Sequence, residues 1–258
     1  MGLDLAFSVT GDGPPLIILH GLFGWKRNWA GIAKALQDDY RVYTLDLRNH
    51  GESPHGADMS YPDMADDVAR FIDTQRLFPV RLVGHSMGGK TAMTLALTAP
   101  GMIDRLTIVD IAPVTYARDY DHYIRALQAV DVKNATRRSD IENSLAQEFP
   151  DRSVRAFLLQ NLVKYPTGEY GWRVNLDAIS GHMGDIMGFP ATPDAHGYPG
   201  QTLFLGGRQS DYIAPAHRST IDRLFPHAEI DYIEGAGHWV HADQPVAFVK
   251  RLQSFLTS

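Results

Sequence analysis

The pentapeptide Gly84-His85-Ser86-Met87-Gly88 restricts the fold more than any other stretch of this chain. It follows the apolar run Val80-Arg81-Leu82-Val83 and precedes a helix-forming run at 90–97. A serine with a glycine two residues to either side, at a join from strand to helix, describes a sharp turn. Side chains at the glycine positions would strike the neighbouring strand and helix. The serine is held in a strained conformation with its hydroxyl exposed. The helix behind it supplies free N–H groups and positive dipole character. Such a turn suits an oxygen nucleophile that must carry negative charge.

The flanking sequence extends this turn into an architecture. Runs at 15–20, 41–47, 80–84 and 105–111 have strand length and near-continuous apolarity, as strands covered on both faces of a parallel sheet do. Helical patterns at 28–37, 62–77 and 86–98 alternate with them. The second carries Met64, Val68, Phe71 and Ile72 at helical spacing, with Asp63, Asp66 and Asp67 in its first turn. The first ten residues read as an alternating strand rather than a leader, because Asp4 interrupts them and no basic region precedes. Further strands are expected at 201–205 and 230–233. Further helices are expected at 215–224 and 244–256, the last with Val246, Val249, Leu252 and Leu256 on one side. From about 113 to 195 the rhythm breaks. Segments 120–130, 138–149, 153–163 and 174–186 read as helices with no strand pattern between them. Gly181, Gly184, Gly188, Pro190, Pro193, Gly197 and Pro199 mark an irregular return. The expected fold is α/β: a mostly parallel, twisted, doubly wound sheet flanked by helices. Residues 1–112 and 201–258 form its core, and 113–200 form an inserted helical lid and return segment.

Composition excludes several functions. The chain has no cysteine, so disulfides, thiolate metal sites and cysteine nucleophiles are ruled out, and a reducing, cytoplasmic setting is expected. The formal net charge is -6 and no basic stripe is present, which argues against nucleic acid as a partner. No apolar run approaches the roughly 20 residues of a membrane span. No HExxH or comparable cluster occurs, and His238 with His241, three apart, is not read as a metal pair. No metal or cofactor is expected.

Ligands of parallel α/β sheets bind outside the carboxyl ends of the strands. Here those ends carry His20-Gly21-Leu22-Phe23-Gly24, Asp46-Leu47-Arg48-Asn49-His50-Gly51, Ser86, Asp110, the loop 206–211 and Gly235-Ala236-Gly237-His238-Trp239. Ser86, an acid and His238 follow one another in the order serine, acid, histidine. Ser86 is the candidate nucleophile and His238 the candidate base. His85 adjoins the serine and points away, so it supports the turn, and His20 underlies the loop that follows it. Two acids compete. Asp110 closes the apolar run 106–109, where a buried carboxylate needs a partner such as an imidazolium. Asp211 follows the next strand on a loop able to reach the same histidine. Asp177 is a third, which instead caps or orients the lid. An oxyanion needs two N–H donors. Met87 is one, and Leu22 the other with Phe23 as its alternative, since Gly21 and Gly24 allow close backbone approach. Phe23, Trp25, Tyr116, Tyr123, Trp172, Met183 and Trp239 are candidates to line an apolar pocket.

These motifs carry a resemblance. HGLFG (20–24), DLRNHGESP (46–54), VGHSMGGKTAM (83–93), VDIAPV (109–114), WRVNLDAI (172–179), TLFLGG (202–207) and AGHWVHAD (236–243) span most of the chain. Together they resemble serine hydrolases of the α/β-hydrolase superfamily, and within it the bacterial YbfF-type esterases and the animal abhydrolase-domain-11 proteins. The resemblance implies a carboxylesterase acting on small-molecule esters of short to medium acyl length through an acyl-serine, without a cofactor. It implies Ser86 as nucleophile, His238 as base and backbone donors at Leu22 and Met87. It leans towards Asp110, since relatives often lack an aspartate where Asp211 stands; both acids stay open. Ser86 sets aside dehalogenases and epoxide hydrolases, which use aspartate. A thioesterase, a carbon–carbon hydrolase or a menaquinone-pathway-type lyase would use the same three residues. The lyase would want a cationic lid pocket, for which Arg118, Arg125, Arg155 and Arg173 are candidates. A non-catalytic ligand receptor is the reading from another class.

Overall fold

The apolar runs assemble into one seven-stranded sheet in the computed structural model, which describes residues 2–117, 120–191 and 197–257. Its strands are β1 (Phe7–Thr10), β2 (Pro15–Leu19), β3 (Arg41–Leu45), β4 (Val80–His85), β5 (Ile103–Val109), β8 (Gln201–Gly207) and β9 (Ala228–Ile233). A separate antiparallel hairpin pairs β6 (Leu162–Lys164) with β7 (Tyr170–Trp172). The order across the large sheet is β1-β3-β2-β4-β5-β8-β9. Only β1 runs antiparallel to its neighbour; every other pairing is parallel.

Continuous apolarity follows from helices on both faces. Along β2, Leu16 and Ile18 point into one core, and Ile17 and Leu19 into the other. The first core is closed by α1 (Ala30–Leu36) and α11 (Pro245–Thr257). The second is closed by α2 (Tyr61–Gln75), α3 (Met87–Thr98) and α9 (Arg218–Leu224). Ser60 caps α2 through its side chain, and the buried stripe of that helix includes Met64, Val68, Phe71 and Ile72. On α11 the buried stripe is Phe248, Leu252, Phe255 and Leu256, whereas Val246 is 82% exposed. Of the expected stripe, Leu252 and Leu256 are buried and Val249 packs partly against the same core; Val246 alone among its four residues faces out, where the larger Phe248 takes the core.

Between β5 and β8 come α4 (Asp121–Ala129), α5 (Arg138–Leu145), α6 (Arg152–Leu159), the hairpin, α7 (Leu176–Gly181) and α8 (Met183–Met187). The expected helix at 153–163 stops at Leu159, and the hairpin replaces its end. Three-residue strands are too short for alternation to be read from sequence. The expected helix at 174–186 breaks at His182 into two. Arg118 and Pro193 lie outside the described residues. A four-residue helix, α10 (Val240–Asp243), follows the loop carrying His238. Among the described residues, no helix is long and apolar enough to cross a membrane.

Candidate active site

Ser86 joins β4 to α3 with φ 52° and ψ -117°. A residue with a Cβ pays about 1–3 kcal/mol for such a conformation, which persists only where the surroundings enforce it. They do so here. The Ser86 N–H donates to Val109 O at 3.0 Å, and Ser86 O accepts from the Lys90 N–H at 3.0 Å. A Cβ on Gly88 would lie 2.5 Å from His20 O, and one on Gly84 would collide with Gly88 O. The glycines of the motif are therefore required by β2 and by the first turn of α3.

His238 Nε2 lies 3.1 Å from Ser86 Oγ, and His238 Nδ1 lies 2.7 Å from Asp110 Oδ2. Asp110 is wholly buried and sits just past β5 with φ 48°. Its Oδ1 accepts from the Gly207 N–H at 3.0 Å, and its Oδ2 also accepts from the Ser210 hydroxyl at 2.5 Å. The carboxylate can only accept, so Nδ1 of His238 carries the proton and Nε2 turns its lone pair to the serine hydroxyl. The carboxylate that meets the imidazole is thus that of Asp110; Asp211 is an exposed residue. Asp177 stands in the first turn of α7, accepts from Gln128 at 2.8 Å and faces an outer groove.

Two groups hold the imidazole: Tyr212, absent from the expected set, and His85, expected only to support the turn. Tyr212 stacks on it, ring centroids 4.1 Å apart and planes at 24°. The Tyr212 hydroxyl meets that of Tyr120, just before α4, at 2.5 Å. His85 donates from Nε2 to His238 O at 2.9 Å, supporting the histidine's backbone rather than the serine. Burial holds the His85 ring well below its usual pKa and hence neutral. Tyr212 was legible only as an aromatic on the 206–212 loop, and nothing local marks it as a ring-stacking partner.

The loop after β2 treats the two candidate N–H donors differently. Phe23, the alternative to Leu22, is corrected: its N–H donates to His50 Nε2 at 3.1 Å. His50 must accept there, so its Nδ1 is protonated and donates to Arg48 O at 3.0 Å. Burial pushes the His50 pKa down to about 3, which keeps that acceptor available. His20 works likewise beneath the loop: its Nε2 accepts from the Leu47 N–H and its Nδ1 donates to Gly21 O. Among the described residues, the N–H groups of Leu22 and Met87 have no protein acceptor.

Ser86, Leu22, Met87 and His238 open on a cavity of about 220 Å³. Of the candidate pocket residues, Phe23, Tyr116, Tyr123 and Trp239 line it. Trp172, Met183 and Trp25 do not. Trp172 donates its indole N–H to Leu127 O and faces the outer groove, Met183 is packed in the core, and Trp25 lies under the Arg173 guanidinium at 4.0 Å. Phe157, Ile186 and Met187 take their places, Phe157 against Trp239 at 5.3 Å. Arg125, Arg155 and Arg173 are also outside the lining. Arg155 is engaged by the carbonyls of Phe149 and Pro150. Among the described residues, the lysine or arginine that does line the cavity is Lys90.

Comparison with known proteins agrees with this topology. Residues 14–245 match the family model described as the alpha/beta hydrolase fold. The sn-1-specific diacylglycerol lipase ABHD11 of Danio rerio is 45% identical, over 97% of this chain and 80% of its own length. Esterase YbfF of Escherichia coli K12 is 36% identical, over 94% of this chain and 92% of its own. A solved structure titled Marine microorganism esterase superposes with a TM-score of 0.95 at 41% identity, covering 98% of this chain and all of that one. The chain belongs to the α/β-hydrolase family and is a serine hydrolase.

Proposed function

We propose that this protein is a carboxylesterase that hydrolyses small-molecule esters of short to medium acyl length through an acyl-serine. The observation that carries the reading is the unbroken relay from Asp110 through His238 to Ser86, beside two N–H groups that have no acceptor among the described residues. The Ser86 oxygen attacks the ester carbonyl while His238 Nε2 takes its proton. The oxyanion settles between the N–H groups of Leu22 and Met87, where dipoles fixed in advance favour developing charge. The tetrahedral adduct collapses as His238 protonates the leaving alcohol, and water then repeats the sequence on the acyl-serine. Asp110 holds the imidazole's tautomer and stabilises its positive form. Residues 113–200 act as a lid: Tyr116, Tyr123, Phe157 and Met187 give the cavity an apolar wall suited to an acyl chain. The esterase and lipase names of the relatives support the same reaction class.

The test is a panel of p-nitrophenyl esters from acetate to laurate, run on wild type and Ser86→Ala. A maximum among the shorter acyl chains is expected, with turnover down by at least three orders of magnitude in the variant. Labelling by a fluorophosphonate should disappear with the hydroxyl. Hydrolysis that survives Ser86→Ala would refute the acyl-serine.

A further inference from the structure

We propose that Lys90 makes one end of the cavity a carboxylate subsite, so that the enzyme selects esters bearing a free carboxylate. The proposal rests on the esterase reading and names a substrate class for it. Lys90 stands one helical turn after Ser86, so both side chains share a face of the chain there. Its residue is 1% exposed and lines the same cavity as the serine. The ammonium donates to Met187 O at 2.9 Å and to Gly188 O, and lies over the rings of Tyr116 at 4.9 Å and Tyr61 at 5.6 Å.

All these partners are dipoles or ring faces. Among the described residues, no acidic side chain pairs with it. The other buried cations are treated differently: Lys26 Nζ is 2.7 Å from Asp46, and Arg48 Nε is 2.7 Å from Asp67. Burying an ammonium without a counter-charge is unfavourable, and one that merely filled space would be better replaced by an apolar stem. Burial alone pushes its pKa down to about 7, so an incoming anion would restore the proton as it binds. Among the described residues, the buried Lys26 and Arg48 are thus each paired with a carboxylate, and Lys90, which faces the substrate cavity, is left for the substrate to supply one.

The carboxylate can sit on the acyl or the alcohol side of the ester. Monoethyl glutarate against ethyl pentanoate tests the first, and 4-acetoxybutanoate against butyl acetate the second. In Lys90→Met the ratio of kcat/KM, anionic over neutral, should fall at least tenfold in one arm or both, and the arm that falls names the side. A lysine that only straps the 187–188 backbone would lower both esters alike, and an unchanged ratio in both arms overturns the proposal. Should the variant not fold, binding to wild type decides it by tryptophan fluorescence. Glutarate should bind at least tenfold more tightly than glutaramide, and equal binding overturns the subsite. If wild type hydrolyses no ester at all, the esterase reading fails, and the glutarate measurement still tests the subsite.

Discussion

Replacing Asp110 with asparagine should stop turnover while leaving the fold intact, and the structure says how. Asp110 accepts three hydrogen bonds: the Gly207 N–H on Oδ1, and the Ser210 hydroxyl with the His238 Nδ1–H on Oδ2. The Gly207 N–H is a backbone donor and cannot reverse. The amide oxygen of asparagine must therefore take the Oδ1 position, which puts the NH₂ at Oδ2. The Ser210 hydroxyl can rotate to accept. His238 can accept only by moving its proton to Nε2, the nitrogen 3.1 Å from Ser86 Oγ. In the proposed mechanism the base is then blocked at the atom that would receive the serine's proton. Wrong-tautomer substitutions of this kind lower kcat by about 10⁴, or about 5 kcal/mol of barrier. Hydrogen-bond number and side-chain volume are conserved, so the melting temperature should move by only a few degrees. Steady-state hydrolysis of p-nitrophenyl butyrate gives the rate, and ¹⁵N NMR of the imidazole gives the tautomer. Asp211→Asn, on an exposed residue, should change kcat less than threefold. The reasoning is refuted if Asp110→Asn keeps more than a tenth of wild-type kcat, or if Asp211→Asn falls as far.

Other outcomes follow from the same geometry. Ser86→Gly removes the Cβ from a residue at φ 52°, relieving about 1–3 kcal/mol of backbone strain against the loss of one hydrogen bond; urea unfolding should show an inactive protein at least as stable as wild type. Gly88→Ala sets a methyl 2.5 Å from His20 O, where only backbone can yield, and should destabilise by about 3 kcal/mol or prevent folding, as read by thermal melting. Burial holds His50 and His241 down to about 3 from 6.5. The unfolded chain binds their protons first, so their contribution is complete above about pH 6.5 and is lost as pH falls towards 3. Each should remove about 2 kcal/mol between pH 7 and 5. Urea titrations at the two pH values measure this, and His241→Phe, which keeps the stack on Trp29, should flatten the dependence by one histidine's share.

Much of the fold was legible because its signals are local. The strands of the sheet lie within a few residues of the apolar runs, since burial on both faces writes itself into consecutive residues. The short hairpin in the 113–200 region was missed because three-residue strands carry no period. The split at His182 was missed because both halves keep an apolar pattern.

The chain's own order of residues determined the sharp turn at Ser86, the alternation that builds a parallel sheet, and which residues stand at its carboxyl rim. Each depends on neighbours along the backbone, through sterics, hydrogen bonding and hydrophobic period. Only the tertiary structure decided which carboxylate reaches His238, since Asp110 and the histidine are 128 residues apart and meet through the pairing of β5 with β8 and of β8 with β9. It also decided that Phe23 gives its N–H to His50, that Trp172 and Met183 face away from the cavity, and that Lys90 enters it without an acidic partner among the described residues. Those outcomes are set by which side chains converge when distant elements pack, and no pattern within a single element encodes them.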